Sequence, residues 1–179
     1  TITDPARLVR LSADGQVALL VGEGNEVQGW DVAAAQPLSF TLQHTGNYTA
    51  NVNAVTFSPD GRTLVSASFN GSINVWDGVT GELLRPPLLA HSVNILDMTY
   101  SPDGLWLASA GCHHFSGPGI CQNGEILLWD TATWTVTQRM VAETGIMLDI
   151  EFTPDSQRLL SNGCAVAVDP LSHCLQGAV

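Results

Sequence analysis

The chain has no lysine. Six arginines (Arg7, Arg10, Arg62, Arg85, Arg139 and Arg158) stand against 17 acidic residues, so the net charge is −11. A field of that sign repels phosphate, which argues against nucleic acid and anionic lipid and in favour of a basic protein surface or a metal ion. Charge is sparse as well, at 13% of 179 residues, and aromatic residues make up only 7%. Sparse charge with 45% apolar residues excludes a disordered tail, a collagen-like chain and a coiled coil. Long apolar runs are missing: the longest, such as Val17 to Val21, reach about five residues, far short of the ~20 that a helix needs to cross a bilayer. No basic segment followed by an apolar one opens the chain, and no 3.6-residue period extends over a useful length. What remains is a globular, acidic chain long enough for one ordinary core.

What the chain does have is self-similarity. Ser12-Ala13-Asp14-Gly15 recurs as Ser58-Pro59-Asp60-Gly61, as Ser101-Pro102-Asp103-Gly104 and, weakened, as Thr153-Pro154-Asp155-Ser156, at intervals of 46, 43 and 52 residues. A second landmark stands at Trp30-Asp31, Trp76-Asp77 and Trp129-Asp130. It lies 18 residues behind the first in copies one and two and 28 behind in copy three. Two landmarks that keep phase over three copies mark a repeat unit. Alternating segments flank the turn string: Val52 to Phe57, Ile95 to Tyr100 and Ile146 to Phe152 before it, and Thr63 to Ser68, Leu105 to Gly111 and Arg158 to Asn162 after it. Proline with its fixed φ and glycine in the left-handed region suit a tight hairpin between them. Asn70-Gly71 and Asn123-Gly124 read as hairpins of the primed type, leading into strands Ile73 to Trp76 and Ile126 to Trp129. A more polar fourth strand, Gly81 to Leu89 or Thr135 to Val141, is expected at the outer edge. Four antiparallel strands every ~45 residues predict the blades of a β-propeller. The expected fold class is therefore all-β, an arc of antiparallel four-stranded blades over about 6–43, 52–90, 93–142 and 146–179, the last incomplete.

Ser-Pro-Asp-Gly, then Leu-x-Ser-x-Ser, then Asn-Gly-Ser-Ile-Asn-Val-Trp-Asp resembles the WD-repeat β-propeller family, and the resemblance runs over essentially the whole chain. It implies a buried network of His, Ser or Thr, Asp and Trp in each blade. By position, His91, Ser109 and Trp129 match it in copy three, and His44, Ser66 and Trp76 in copy two. The Asp place falls on Asn123 and Asn70, which would weaken the His–Asp element to a neutral hydrogen bond. Copy one has Leu20 and Gly24 at the Ser and Asp places and would rely on packing alone. On this reading the His and Ser residues are satisfied polar groups of the core, not catalytic ones.

Copy three carries ten extra residues between its second and third strands, bounded by Cys112 and Cys121, and copy four repeats the device with Cys164 and Cys174. Cys164 lies 11 residues after Thr153, as Cys112 lies 11 after Ser101. The direct reading is a disulfide across the base of each loop, Cys112 with Cys121 and Cys164 with Cys174. Each would stabilise by about 2.5–3 kcal/mol in the loop-entropy model and would imply an oxidising compartment, extracellular or periplasmic. Two alternatives stay open. One is zinc held by Cys112, His113, Cys164 and His173, although the spacing matches no short Cys-x₂₋₄-Cys hairpin. The other is four reduced thiols in a cytoplasmic protein. No Cys-x-x-Cys motif supports redox catalysis.

Asp97 and Asp149 share one place, four residues before the turn string, on the strand that would line the central channel. Together with His113, His114 and Phe115 of the inserted loop they are the candidate partner-binding residues. Asn47-Tyr48-Thr49 and Asn70-Gly71-Ser72 fit the glycosylation sequon, a weak signal. The chain has no Gly-rich phosphate loop, zinc-protease helix or nucleophile elbow, so neither an enzyme nor a cofactor is expected. A Trp-Asp of copy four would fall near position 181, so the last blade is expected to continue in a longer propeller protein. The functional expectation is a non-catalytic protein-interaction scaffold or sensor module, by fold analogy part of a bacterial signalling or assembly protein. The rival is a disulfide-stapled extracellular structural subunit of a multi-chain assembly. In either case the partner is protein, a basic surface or the remainder of its own propeller, with neither nucleic acid nor membrane insertion.

Overall fold

A computed structural model describes residues 6–22, 26–44, 51–89, 91–92, 94–117, 120–141, 149–161 and 164–167. The regular elements among them are all strands, arranged in four antiparallel sheets in chain order. The first sheet holds β1 (Leu8–Leu11), β2 (Val17–Val21), β3 (Glu26–Asp31) and β4 (Gln36–Gln43). The second holds β5 (Val52–Phe57), β6 (Thr63–Ser68), β7 (Ser72–Asp77) and β8 (Leu88–Leu89). The third holds β9 (Ile95–Tyr100), β10 (Trp106–Gly117), β11 (Ile120–Asp130) and β12 (Thr135–Val141), and the fourth β13 (Ile150–Phe152), β14 (Arg158–Ser161) and β15 (Cys164–Ala167). The first strands touch in succession, β1 on β5, β5 on β9 and β9 on β13. That is the radial stacking of propeller blades about an inner edge.

The cores lie between sheets. Leu19, Val21, Val27, Leu42, Val55, Leu64 and Trp76 fill the space between blades one and two. Val65, Ile73, Val75, Ile95, Leu107, Leu127 and Trp129 do so between blades two and three, and Ala108, Ile126, Leu128, Ile150 and Leu159 between blades three and four. A blade with a neighbour on each side buries both faces, which explains why β6 reads Thr-Leu-Val-Ser-Ala-Ser with its last five residues buried. Among the described residues the first and fourth sheets have such a neighbour on one side only, and Val9, Leu11 and Leu160 are exposed there.

The turn string is a hydrogen-bonded unit, repeated four times. Ser12, Ser58 and Ser101 each donate a hydroxyl hydrogen to the aspartate two residues on, at 2.6 Å, and Thr153 does the same to Asp155 at 2.5 Å. Each aspartate also accepts the backbone N–H two residues further along, at 3.0–3.1 Å. The hydroxyl oxygen in turn accepts the N–H five residues after it, opening the second strand. The Ser or Thr hydroxyl, first, and these N–H groups hold the carboxyls of Asp14, Asp60 and Asp155 below the ordinary range. Gly15, Gly61 and Gly104 take φ near +70°, and Ser156 takes the same left-handed conformation in the weakened copy. The aspartate of Trp-Asp does a parallel task at the next turn: Asp31 accepts from Ala34 N–H, Asp77 from Val79 and Thr80, and Asp130 from Ala132 and Thr133.

Four expectations need correction. Gly81 to Leu89 is not one strand: only Leu88 and Leu89 pair with β7, apart from a bridge between Trp76 and Leu83, because Pro86 and Pro87 have no N–H for the ladder. Asn70-Gly71 is not a primed turn. Gly71 N–H bonds Ser68 C=O at 3.1 Å and only Gly71 has positive φ, the signature of a three-residue loop with a glycine bulge. Asn123-Gly124 is no turn at all; both residues lie inside β11, where Asn123 faces His114 and Gly124 faces Cys112 in an arm that carries β10 and β11 past the length of the other blades. Blade one, finally, does not rely on packing alone. Gln28 donates its side-chain amide to the carbonyls of Gly29, Leu38 and Phe40 and accepts from the Thr41 hydroxyl, sewing β3 to β4.

Candidate functional site

The polar residues marked by the sequence fall into two separate relays, one in blade two and one in blade three. In blade two, Trp76 Nε1–H donates to Ser66 Oγ at 2.8 Å, and Ser66 Oγ lies 2.5 Å from His44 Nε2. In blade three the same relay runs from Trp129 Nε1 to Ser109 Oγ at 3.0 Å and on to His91 Nε2 at 2.8 Å. Each histidine follows the outer strand of one blade and bonds the second strand of the next, so the relay clasps neighbours. Burial, the larger effect, pushes the His44 imidazole down to about 4, and it is neutral near pH 7. Asn70 sits apart from this relay: its amide oxygen accepts from the hydroxyls of Ser68 and Ser72 and from Ser72 N–H.

The carboxylate of blade three comes from Glu125, not from the Asn123 position. Glu125 is fully buried, and its Oε1 lies 2.8 Å from His91 Nδ1. Its Oε2 meets His113 Nδ1 at 3.1 Å and the Arg139 guanidinium from β12. Burial alone would raise this carboxyl; the contacts with His91, Arg139 and His113 outweigh it and hold the group below its ordinary value. His91 reaches both neighbours at once, Glu125 through Nδ1 and Ser109 through Nε2. Ser109, His91 and Glu125 thus have the connectivity of a Ser–His–acid triad. Ser109, however, is 0% exposed and its oxygen already accepts the Trp129 indole N–H. The triad is a strut.

Beyond Glu125 the β10–β11 arm projects. Cys112 and Cys121 are joined in a disulfide with Cα atoms 5.8 Å apart. A bonded Cys112 has no thiolate to give, so it does not join His113 as a metal ligand. His113 is turned to Glu125 with its side chain 40% exposed. His114 pairs in register with Asn123, and Phe115 with Cys121. Cys174 and His173 lie outside the described residues, as does the side chain of Cys164, and Asn47 to Thr49 lie outside them too.

A family pattern described as "WD domain, G-beta repeat" matches residues 38–77 and 82–130. Each match begins on the outer strand region of one sheet and ends on the third strand of the next, the same span that the His–Ser–Trp clasp bridges. The chain belongs to the WD-repeat family. It is 30% identical over 112 residues to Polyadenylation factor subunit 2 of Candida albicans, covering 63% of this chain and 18% of that protein. It is 29% identical over 150 residues to Protein LST8 homolog of Drosophila melanogaster, covering 83% and 45%. It is 27% identical over 152 residues to Transducin beta-like protein 3 of Bos taurus, covering 85% and 17%. The chain spans less than half the length of these curated relatives. All three are eukaryotic, so they lend no support to the expectation of a bacterial protein.

In this WD-repeat chain the channel carboxylates do different things. Asp97 is half-buried and accepts Ile150 N–H of the next blade at 2.9 Å. Burial, joined by the charge and hydrogen bond of Asp149, pushes its carboxyl up to about 6. It is one of a series of inter-blade ties along the inner strands: Arg7 donates to Val52 C=O, and Asn53 to Ile95 C=O at 3.2 Å. Asp149 is exposed. Sequence reasoning missed Glu125, Arg139 and Gln28. The signal for Glu125 was the two-residue period: it shares a strand face with Leu127 and Trp129, which pack between blades two and three.

Proposed function

We propose that this chain is a non-catalytic protein-interaction module, a segment of a larger WD-repeat propeller that presents the Cys112–Cys121 arm to a partner. The observation that carries the reading is the length of the arm against the anchorage of its base. β10 has 12 residues where β6 has six, and the disulfide and the Glu125 cluster fix the root of the extra length. A rigid scaffold with one enlarged hairpin is the usual place for recognition. The family and the relatives support a scaffold role, and one relative is by name a subunit of a factor. His113, His114, Phe115 and Asp149 are the residues offered to the partner.

The rival, a disulfide-stapled subunit in an extracellular or periplasmic setting, draws on the bonded cysteines alone; none of the relatives supports it. The test replaces residues 114–120, keeping His113 on Glu125, with a three-residue turn copied from Phe69-Asn70-Gly71 and maps proximity cross-links in the native host. A variant that melts like the parent and loses its cross-linked partners supports the module. An unchanged partner set overturns it.

A further inference from the structure

On the rim opposite the arm, the turns of blades two and three stand side by side: a Cβ placed on Gly104 would lie 3.6 Å from Pro59 Cδ. Between the blades opens a cavity of about 580 Å³, lined by Asp60, Arg85, Tyr100, Asp103, Thr131 and Trp134 among others. Its volume falls in the range of sites that enclose a small ligand or a few residues of peptide. Two donors in its walls lack acceptors among the described residues. Tyr100 is 8% exposed, and its buried hydroxyl has no hydrogen-bond partner. The buried Nε of Arg85 has none either, while the guanidinium lies 5.8 Å from the Trp134 ring centroid. Native proteins rarely leave such groups unpaired, and an acceptor oxygen from outside would complete both.

The charge of the cavity narrows the class of ligand. The turns use only Oδ1 of Asp60 and Asp103 for their own hydrogen bonds. Two carboxylates, Asp60 and Asp103, and one guanidinium, Arg85, line the cavity, with Arg62 beside Asp60, in a chain of net charge −11. A free anion would satisfy Tyr100 and Arg85 but be repelled by both aspartates. A peptide supplies a neutral carbonyl for the donors and a cation for the aspartates.

We propose that this inter-blade cavity docks a short basic peptide segment of a partner protein. A backbone carbonyl of the segment accepts from the Tyr100 hydroxyl and Arg85 Nε, and a neighbouring arginine or lysine side chain lies between Asp60 and Asp103. The inference deepens the scaffold reading and rests on it, but uses the opposite rim.

Fluorescence anisotropy of the full chain with labelled Gly-Arg-Gly-Arg-Gly amide, against Gly-Glu-Gly-Glu-Gly amide, tests it. The arginine peptide binds saturably, more weakly as salt rises. The double substitution D60N/D103N keeps the Oδ1 acceptors of both turns and weakens binding about tenfold or more. Tyr100→Phe weakens it about threefold without lowering the melting temperature, since the hydroxyl it removes has no partner. Asp14→Asn, in the equivalent turn of blade one, changes nothing. If D60N/D103N melts early, Tyr100→Phe alone decides. No saturable binding of the arginine peptide, equal binding of the glutamate peptide, or indifference to Tyr100→Phe overturns the proposal. Cross-links that persist on the arm while the arginine peptide fails to bind would sink the cavity and leave the scaffold; loss of partners from the arm-shortened variant with peptide binding intact would support both.

Discussion

Glu125→Gln is the sharpest perturbation that the structure offers. The substitution keeps the shape and one acceptor for His91 Nδ1 but removes the charge that Arg139 and His113 address. Hydrogen bonds to charged groups contribute about 1.5–3 kcal/mol each, and breaking a fully buried pair costs about 3–5 kcal/mol because a charge is stranded. Here Arg139 and His113 have side chains 45% and 40% exposed, so both turn to water once released. The expected loss is therefore about 2 kcal/mol, a fall in melting temperature of about 4–8 °C for a chain of this size. Glu125→Ala also leaves His91 Nδ1 without an acceptor and should reach about 3–5 kcal/mol. The sign of the pH dependence follows from the lowered carboxyl. Stability from Glu125 is present above the unfolded value of 4.5 and is lost as pH falls through the lower folded value. Thermal and urea melts of parent and variant from pH 3 to 8 check this. A gap under ~0.5 kcal/mol at pH 7, the size of an ordinary surface change, would refute the buried hub; so would a gap that widens as the carboxyl protonates.

Asp97→Asn keeps an acceptor for Ile150 N–H and should stabilise the protein near pH 7.5 by about 1–2 kcal/mol. Two pKa units correspond to ~3 kcal/mol, discounted because the carboxyl is partly open to water. In the parent, the raised Asp97 value makes stability fall as pH rises from 3.8 to about 6; pH-resolved melts of the variant should lack that slope. Ala35 holds φ +51° at the place where blade two has Gly81 at +73°, so Ala35→Gly should stabilise by about 0.5–1 kcal/mol. An unchanged melting temperature would count against the left-handed strain. Gly111→Ala would set a Cβ 2.3 Å from Asn94 C=O; denaturant midpoints should show a loss of about 1–3 kcal/mol, and a neutral result would mean that the segment preceding β9 yields.

The blades were legible because their signals are local. Ser-Pro-Asp-Gly closes its own hydrogen bonds within six residues, and Trp-Asp ties its own turn, so both leave a fixed spacing in the chain. The His–Ser–Trp clasps were legible by position through the family resemblance. The strand β8 was misjudged because Gly81 to Leu89, read from its place in the repeat as a polar outer strand, holds two prolines that cannot donate to a ladder. Asn123-Gly124 misled for the opposite reason: a strong local turn signal was overruled by the pairing of β10 with β11, which moves the hairpin tip towards Ile120. Glu125 and Gln28 were missed because their roles depend on partners far along the chain, Glu125 meeting His91 and Arg139, and Gln28 reaching Leu38 and Phe40. A lone acidic residue in a strand does not announce its partners.

The contrast between blades two and three says why a buried carboxylate occurs where it does. Ser72 of β7 and Glu125 of β11 hold equivalent places, each four residues before the blade's Trp. Blade two closes its hairpin with three residues, and Ser68, Asn70 and Ser72 hold that turn by neutral hydrogen bonds. Blade three must instead root an arm that extends to Gly117 and Ile120. At that root, Gly124 pairs with Cys112, Cys112 is bonded to Cys121, and Glu125 joins the arm through His113 to β12 through Arg139 and to the preceding blade through His91. Desolvating a carboxylate is unfavourable unless several charged or donor groups converge on it. Three converge here, from three separate segments, so the charge pins the arm's direction relative to two blades at once. A neutral serine could not span them, and a longer hairpin on a serine root would be free to swing.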